Sequence, residues 1–460
     1  MRKICLNFQI HQPFRLKRYR FFNIGEDHYY YDDYANESYV RKMADLSYLP
    51  ANKILLDLIK ANKNRFKVSF SISGTALDQF ELYTPEVLES FKKLADTGCV
   101  EFLGGTDAQS LASLANRKEF EDQVAQHREK IKKFFGCEVG DVFCNTSMLY
   151  SNDIAGYVEE MGFHGVLTEG ARHILGWKSP NYVYCSATNP RVKLLLRNYK
   201  LSDDIRFNFS STSWSEYPLT VEKFLYWMNA CDEKEDLFNI SLDYTTFGDK
   251  QPASSGIFDF LRYLPVYALK QGFAFVNPSD MVSAAPIAPV SVRFPISWMD
   301  EERDTSAWLG NELQQEAFRQ LYDLSERVAL TDSKRIKADW KYLQACDHLR
   351  FMSTKHYATG RRTPYNPYDS PYDAFINYMN VLSDFTTRLQ KIEKKEEQSI
   401  SVGELEKALQ EKDRQYAKIK LELDKLRVSV AKARKVFAAI DEIEEPAVKK
   451  KTPRARKADK

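Results

Sequence analysis

Two apolar runs end in polar clusters of unequal chemistry. Leu242-Asp243-Tyr244-Thr245-Thr246-Phe247-Gly248 delivers a carboxylate, whereas Val142-Phe143-Cys144-Asn145-Thr146-Ser147 ends in amide and hydroxyl groups. Cleaving a glycosidic bond usually takes two carboxyl groups, one to move a proton and one to attack or to position water, because the transition state is oxocarbenium-like. This pair of segments supplies one. A serine hydroxyl becomes nucleophilic only beside a base, and no His follows Ser147 within its segment. Other runs end in His11-Gln12-Pro13, in Gly104-Gly105-Thr106-Asp107-Ala108-Gln109, and close to Glu169. For Asp107 and Glu169 two readings stand, a carboxylate supplied from another strand or a solvated loop charge. Metal-assisted hydrolysis would need an Asp and two His converging, and His127, His164 and His173 sit in unrelated contexts, so no metal or other cofactor is expected.

The elements that must position these groups alternate. Strand candidates at Ile4–Ile10, Lys67–Ile72, Cys99–Leu103, Asp141–Cys144, Gly165–Leu167, Val192–Leu196, Asn239–Leu242 and Ala274–Val276 are separated by stretches with apolar residues at helical spacing. That order predicts βα units and a closed or nearly closed, largely parallel barrel. Chemistry in such barrels sits at the carboxyl ends of the strands, where the polar clusters lie. After Pro295 the pattern changes to helical stretches at Ala307–Arg327, Ser333–Lys355 and Ser370–Glu396, the last entered through a Tyr-rich loop around Tyr365 and Tyr368.

From Gln398 to about Ile443 apolar residues follow a 3-4 step through Val402, Leu405, Leu409, Tyr416, Ile419, Leu423, Leu426, Val430, Ala433, Phe437 and Ile440, broken by Lys412. This seam predicts a coiled coil and self-association through 402–440; a helix docking on its own chain is the alternative. The final segment, Lys449-Lys450-Lys451-Thr452-Pro453-Arg454-Ala455-Arg456-Lys457, is basic and poor in apolar side chains, which predicts a disordered tail.

Composition bounds the partners. A formal charge of +2 over 460 residues gives no general case for nucleic acid or an anionic membrane. No apolar run of about 18 residues is long enough to span a bilayer, and the first residues lack a signal peptide's apolar core. Seven cysteines without CxxC spacing fit neither a disulfide framework nor a zinc ribbon, which points to a reducing cytoplasm. The 26 Tyr, 29 Phe and 6 Trp supply core area, and also flat surfaces on which sugar rings stack.

Five segments in order resemble glycoside hydrolase family 57, on its α-amylase-like branch: His11-Gln12-Pro13-Phe14-Arg15, Gly98–Thr106, Phe143–Tyr150, Asp243–Gln251 and Ser297–Asn311. Leu195–Asp204 and Ser370–Tyr378 are similar to family segments as well, so the resemblance spans about residues 1–388. It implies an incomplete (β/α)7 TIM-like barrel over 1–290, a helical-bundle domain over 291–396 completing the cleft, and, outside the resemblance, a coiled-coil helix over 397–445 and the tail 446–460. It also implies action on α-1,4-glucan such as starch, glycogen or maltooligosaccharide, by a retaining mechanism. Asp243 falls at the acid/base position and Ser147 where the family carries its Glu nucleophile. His11, Gln12, Gly105, Asp107, Gln109, Trp298 and Asp347 fall at substrate-binding positions, although packing between helix and barrel is an equal reading for Trp298. Departures cluster: Asp107-Ala108-Gln109 replaces Tyr-Tyr-His, and Thr245 stands where an acid is common. The expectation is an amylase-like, glucan-binding or regulatory protein with impaired catalysis; the alternative is an active α-amylase or 4-α-glucanotransferase with a displaced carboxylate.

Overall fold

A computed structural model describes residues 1–355 and 365–441; side chains at 396–402, 404–405 and 433–441 are outside the description, as is the tail 446–460 expected to be disordered. The main strands are β1 (Lys3–Ile10), β2 (Val68–Ile72), β3 (Val100–Phe102), β4 (Val142–Phe143), β5 (Gly165–Glu169), β6 (Val183–Ser186), β7 (Lys193–Arg197) and β8 (Leu237–Asp243), with two-residue strands at Phe247–Gly248, Gln251–Pro252, Ala274–Phe275 and Pro289–Val290. Of the main strands all but β6 run parallel and form a ring, in which β3 meets β4 through the Gly104–Phe143 bridge and β8 returns to β1 over seven residue pairs. At one seam the ring is splayed. β7 touches β8 at a single pair, Arg197 with Asn239, because the antiparallel β6 takes up the edge of β7.

Parallel strands covered by helices are buried on both faces and read as continuous apolar runs. β1 is buried at every residue but its first. Its Ile4, Leu6, Phe8 and Ile10 pack outward with helix residues such as Leu55, Phe80 and Phe91 in the largest core cluster. The intervening Cys5, Asn7 and Gln9 face the interior, where Ser69 Oγ donates to Asn7 Oδ1 at 3.3 Å and Gln9 Nε2 lies 3.0 Å from Cys144 Sγ. Period-2 alternation therefore decides which residues climb the inside of the barrel to its mouth.

Beyond the barrel lie helices Ser306–Leu309, Glu312–Tyr322, Ser325–Leu330, Lys334–Leu343 and Cys346–Arg350, so two of the expected long helices are broken into shorter pieces. Side-chain caps explain two starts: Asn311 accepts from Gln314 N and Ser333 from Ile336 N. The last helix runs from Pro371 to Asp441, so the boundary expected at 396/397 falls inside it. The chain forms two units, Met1–Leu389 and Gln390–Lys460. The first therefore holds barrel and following helices together, with Tyr378, Phe385 and Leu389 buried. In the second, Leu409, Tyr416, Ile419, Leu423, Leu426 and Val430 are exposed by 47–72%. Among the described residues no helix is long and apolar enough to cross a membrane.

Candidate functional site

The inward columns of β1 and β8 end side by side. Gln9 is the register partner of Asp243, and both line a cleft of about 200 Å³ at the carboxyl end of the barrel. His11, Gln12, Gln109, Ser147, Trp298 and Asp347 line the same cleft. Seven of the nine expected site residues, counting Asp243, are thus brought together from six chain segments.

Asp243 is held between two cations. Arg206 and Lys250 both contact its Oδ2. Burial alone would raise this carboxyl; the charges of Arg206, Lys250 and Arg197 and the Lys250 hydrogen bond outweigh it and hold Asp243 well below the usual carboxylate range. An acid/base catalyst must carry its proton near working pH, and this environment removes it. Lys250 is pushed the other way: burial and the neighbouring Arg206 charge lower its ammonium to about 8, against the pull of Asp243.

Ser147 sits at the end of β4 with its backbone in the left-handed region, φ 47°, followed by Met148 at φ 60°. Such conformations strain non-glycine residues and persist where surroundings over-determine them. Here Trp298 N donates to the Ser147 carbonyl at 3.0 Å and Thr168 Oγ1 to the Met148 carbonyl at 2.9 Å. The group this turn presents to the cleft is a hydroxyl.

The opposite wall is joined to the later helices. His11 Nε2 lies 2.8 Å from Asp347 Oδ2, and its Nδ1 2.8 Å from Ser73 Oγ. Burial pushes the Asp347 carboxyl up, but the charge and hydrogen bond of His11 prevail and bring it to about 2. Gln12 Nε2 donates to Tyr48 Oη at 2.8 Å, leaving its Oε1 buried without a donor. The Trp298 ring is only 3% exposed and lies 5.3 Å from the Arg197 guanidinium and 5.0 Å from that of Arg206, so it packs between cations at the cleft floor.

Two expected site residues lie elsewhere. Asp107 is fully buried away from the cleft, paired with Lys130 at 2.9 Å and Lys341 at 3.5 Å. Its carboxylate fills the space a Cβ at position 74 would need, 1.6 Å from Oδ1, so Gly74 is required by close approach. Gly105 packs against the Cys144 carbonyl and the His127 ring and does not line the cleft. Glu169 is neither a solvated charge nor a cleft carboxylate: it is buried, 3.0 Å from Arg197 and 3.6 Å from Arg303. Burial raises its carboxyl in spite of both arginines. Asp243 and Asp347 are the cleft's carboxylates among the described residues, where no cluster of three His, Cys, Asp or Glu could hold a metal ion.

The sequence reading passed over the cleft's cations, Arg15, Arg206, Lys250 and Arg350. Arg15 and Lys250 stood inside recognised segments, and a cation beside a catalytic-type Asp was a usable signal. Arg206 reaches the cleft from the π-helical turn Asp204–Asn208, which no local pattern marks.

Residues 5–296 match the family described as Glycosyl hydrolase family 57. The chain is 37% identical over 413 residues to a "Putative alpha-amylase" of Methanocaldococcus jannaschii, covering 86% of each. In fold it is similar to a family 57 branching enzyme of Thermococcus kodakaraensis, with a TM-score of 0.61 at 12% identity, covering 84% of this chain and 90% of that one. It is also similar to an α-amylase of Thermotoga maritima, with a TM-score of 0.55 at 12% identity, covering 85% and 94%. A 4-α-glucanotransferase of Thermococcus litoralis gives a TM-score of 0.55 at 16% identity over 75% of this chain and 55% of that one. The ring of parallel strands, the carboxylate at the end of β8 and a match covering more than half the sequence agree, and the chain belongs to glycosyl hydrolase family 57.

Proposed function

We propose that the protein binds α-1,4-glucan in this cleft without hydrolysing it, as an amylase-like binding or regulatory protein. The carrying observation is the state of the catalytic-type pair: a neutral Ser147 faces the cleft, and Asp243 is committed to Arg206 and Lys250. Retaining hydrolysis needs a nucleophilic carboxylate and a protonated acid about 5–5.5 Å apart. A loss of several kcal/mol on each count leaves a negligible rate, since about 1.36 kcal/mol is a factor of ten. The aromatic and amide lining, with Trp298, Tyr39, Tyr48, Gln12 and Gln109, supports saccharide binding.

Asp347 supports a second reading, an active hydrolase or transferase with a displaced carboxylate, because it lines the same cleft and is held ionised. Incubation of the full chain with amylose and maltooligosaccharides, following reducing ends, chain-length redistribution and binding together, separates the two. Binding without turnover is the expected result. Turnover lost in Asp243→Asn and kept in Ser147→Ala would favour the second reading.

The exposed seam of the long helix supports self-association through residues 402–440, and seven unpaired cysteines support a reducing compartment such as the cytoplasm.

A further inference from the structure

The cleft wall carries more cationic than anionic charge. Arg15, Arg206, Lys250 and Arg350 line it against Asp243 and Asp347. The two carboxylates are already committed, Asp243 to two cations at one oxygen and Asp347 to His11. Arg350 reaches Asp300 only at 3.5 Å, and its other contact is the Met299 sulfur at 2.9 Å. Arg15 is the most exceptional. It is 8% exposed, its guanidinium lies 4.0 Å from the centre of the Tyr39 ring, its Nη1 has no acceptor, and it forms no ion pair among the described residues. The buried Nε atoms of Arg206 and Arg350 have no acceptor either.

Buried guanidinium groups are ordinarily paired, because desolvating an unpaired charge is costly. A neutral glucan can accept hydrogen bonds but brings no charge to offset the cations. Three N–H groups without acceptors on guanidinium groups that line the cleft, together with four lining cations to two lining carboxylates and Asp300 offsetting Arg350 from behind, describe a receptor for an anion. We propose that the cleft recognises a glucosyl ligand bearing a phosphate monoester. A phosphate monoester carries about −1.5 to −2 charge near neutral pH and three acceptor oxygens, which suits both the surplus charge and the unpaired N–H groups, whereas a sugar carboxylate offers one charge and two oxygens. The saccharide half rests on the glucan-binding reading above; the anion half rests on the charge pattern alone.

Calorimetric titration of the full chain with maltose, maltotetraose, maltose 1-phosphate, glucose 1-phosphate, glucose 6-phosphate and inorganic phosphate tests both halves. The expected result is a phosphorylated sugar bound about tenfold or more tighter than both its neutral counterpart and inorganic phosphate. Preference between the 1- and 6-phosphates identifies which ester is read. Arg15→Met should bring the phosphorylated sugar down to the neutral level, with Arg15→Lys retaining part of the difference; the wild-type comparisons decide even if Arg15→Met does not fold. Equal affinity for neutral and phosphorylated sugars overturns the inference and leaves the glucan reading standing. Inorganic phosphate binding as tightly as the sugar esters overturns the inference, and maltotetraose binding in the same series decides separately whether the glucan reading stands. Absence of binding by every probe overturns both.

Discussion

At the scale of single residues, the absence of hydrolysis proposed above rests on the ion pairs of Asp243 as much as on the hydroxyl of Ser147. Ser147→Glu would supply a nucleophile-type group, but Asp243 would still lie between Arg206 and Lys250 with no proton to give. We expect Ser147→Glu alone to leave reducing-end release from amylose at background, and Ser147→Glu with Lys250→Gln to raise it measurably; strong hydrolysis by the single variant would show that Asp243 can be protonated in place. Lys250 also gives a pH signature. Its folded value, about 8, lies below the ordinary 10.5, so the folded chain holds fewer protons at this site between the two values, and stability rises with pH across that window. The groups facing it are Asp243, Arg206 and Arg350. A quarter of the side chain meets solvent, so the rise is about 1–2 kcal/mol rather than the full shift. Urea unfolding from pH 7.5 to 10.5 should show this increment in wild type relative to Lys250→Met, and parallel curves would sink it. Asp243 was legible from the sequence because it ends an alternating strand. Its two cations were not, because Arg206 arrives from a distant π-helical turn and Lys250 folds back from seven residues on.

At the scale of elements, legibility followed periodicity. All eight strand candidates are strands, shifted by at most two residues, because a helix-covered parallel strand is buried on both faces and its apolar outer face stands out in sequence. β6 escaped notice: it is four residues long, and its antiparallel pairing with β7 depends on the splayed seam beside β8. Asp107 was misplaced for a related reason. Sequence says that it follows β3, but not that the loop turns down against Gly74, where Thr75 N donates to the Asp107 carbonyl at 2.9 Å. From Leu409 to Val430 the long helix leaves the side chains of its seam exposed. A helix bearing Leu409, Leu423 and Leu426 largely exposed gains by pairing its seam, each fully buried Leu contributing about 1.5–3 kcal/mol. Leu409→Asp with Leu423→Asp should lower the particle mass by light scattering, as should truncation after Glu396; an unchanged mass in either would defeat self-association through this seam.

At the scale of the whole molecule, the unit Met1–Leu389 is held together by buried charge as well as by apolar contact. Asp78 and Asp107 face Lys130 and Lys341, joining helices Gly74–Tyr83 and Arg117–Phe135, which flank the barrel, to helix Lys334–Leu343 beyond it. That last helix precedes Cys346–Arg350, which carries Asp347 to the cleft, so the cluster fixes the cleft wall from behind. Burial would lower the Lys341 ammonium, yet the charges of Asp107 and Asp78 keep it raised, whereas in Lys130 of the same cluster burial outweighs the same two carboxylates and lowers it. Removing one member of such a group strands the others in low dielectric, which costs about 3–5 kcal/mol. Asp107→Ala should therefore lower unfolding stability by about that amount at neutral pH. If Asp107 touched ligand, the same change would act on binding directly; being outside the cleft, it should leave the affinity for maltooligosaccharide within about twofold in the folded fraction, a difference of about 0.4 kcal/mol. Denaturant titration and calorimetry on the same preparation distinguish these outcomes, and a large loss of affinity with little loss of stability would return Asp107 to the binding site from which its position removes it.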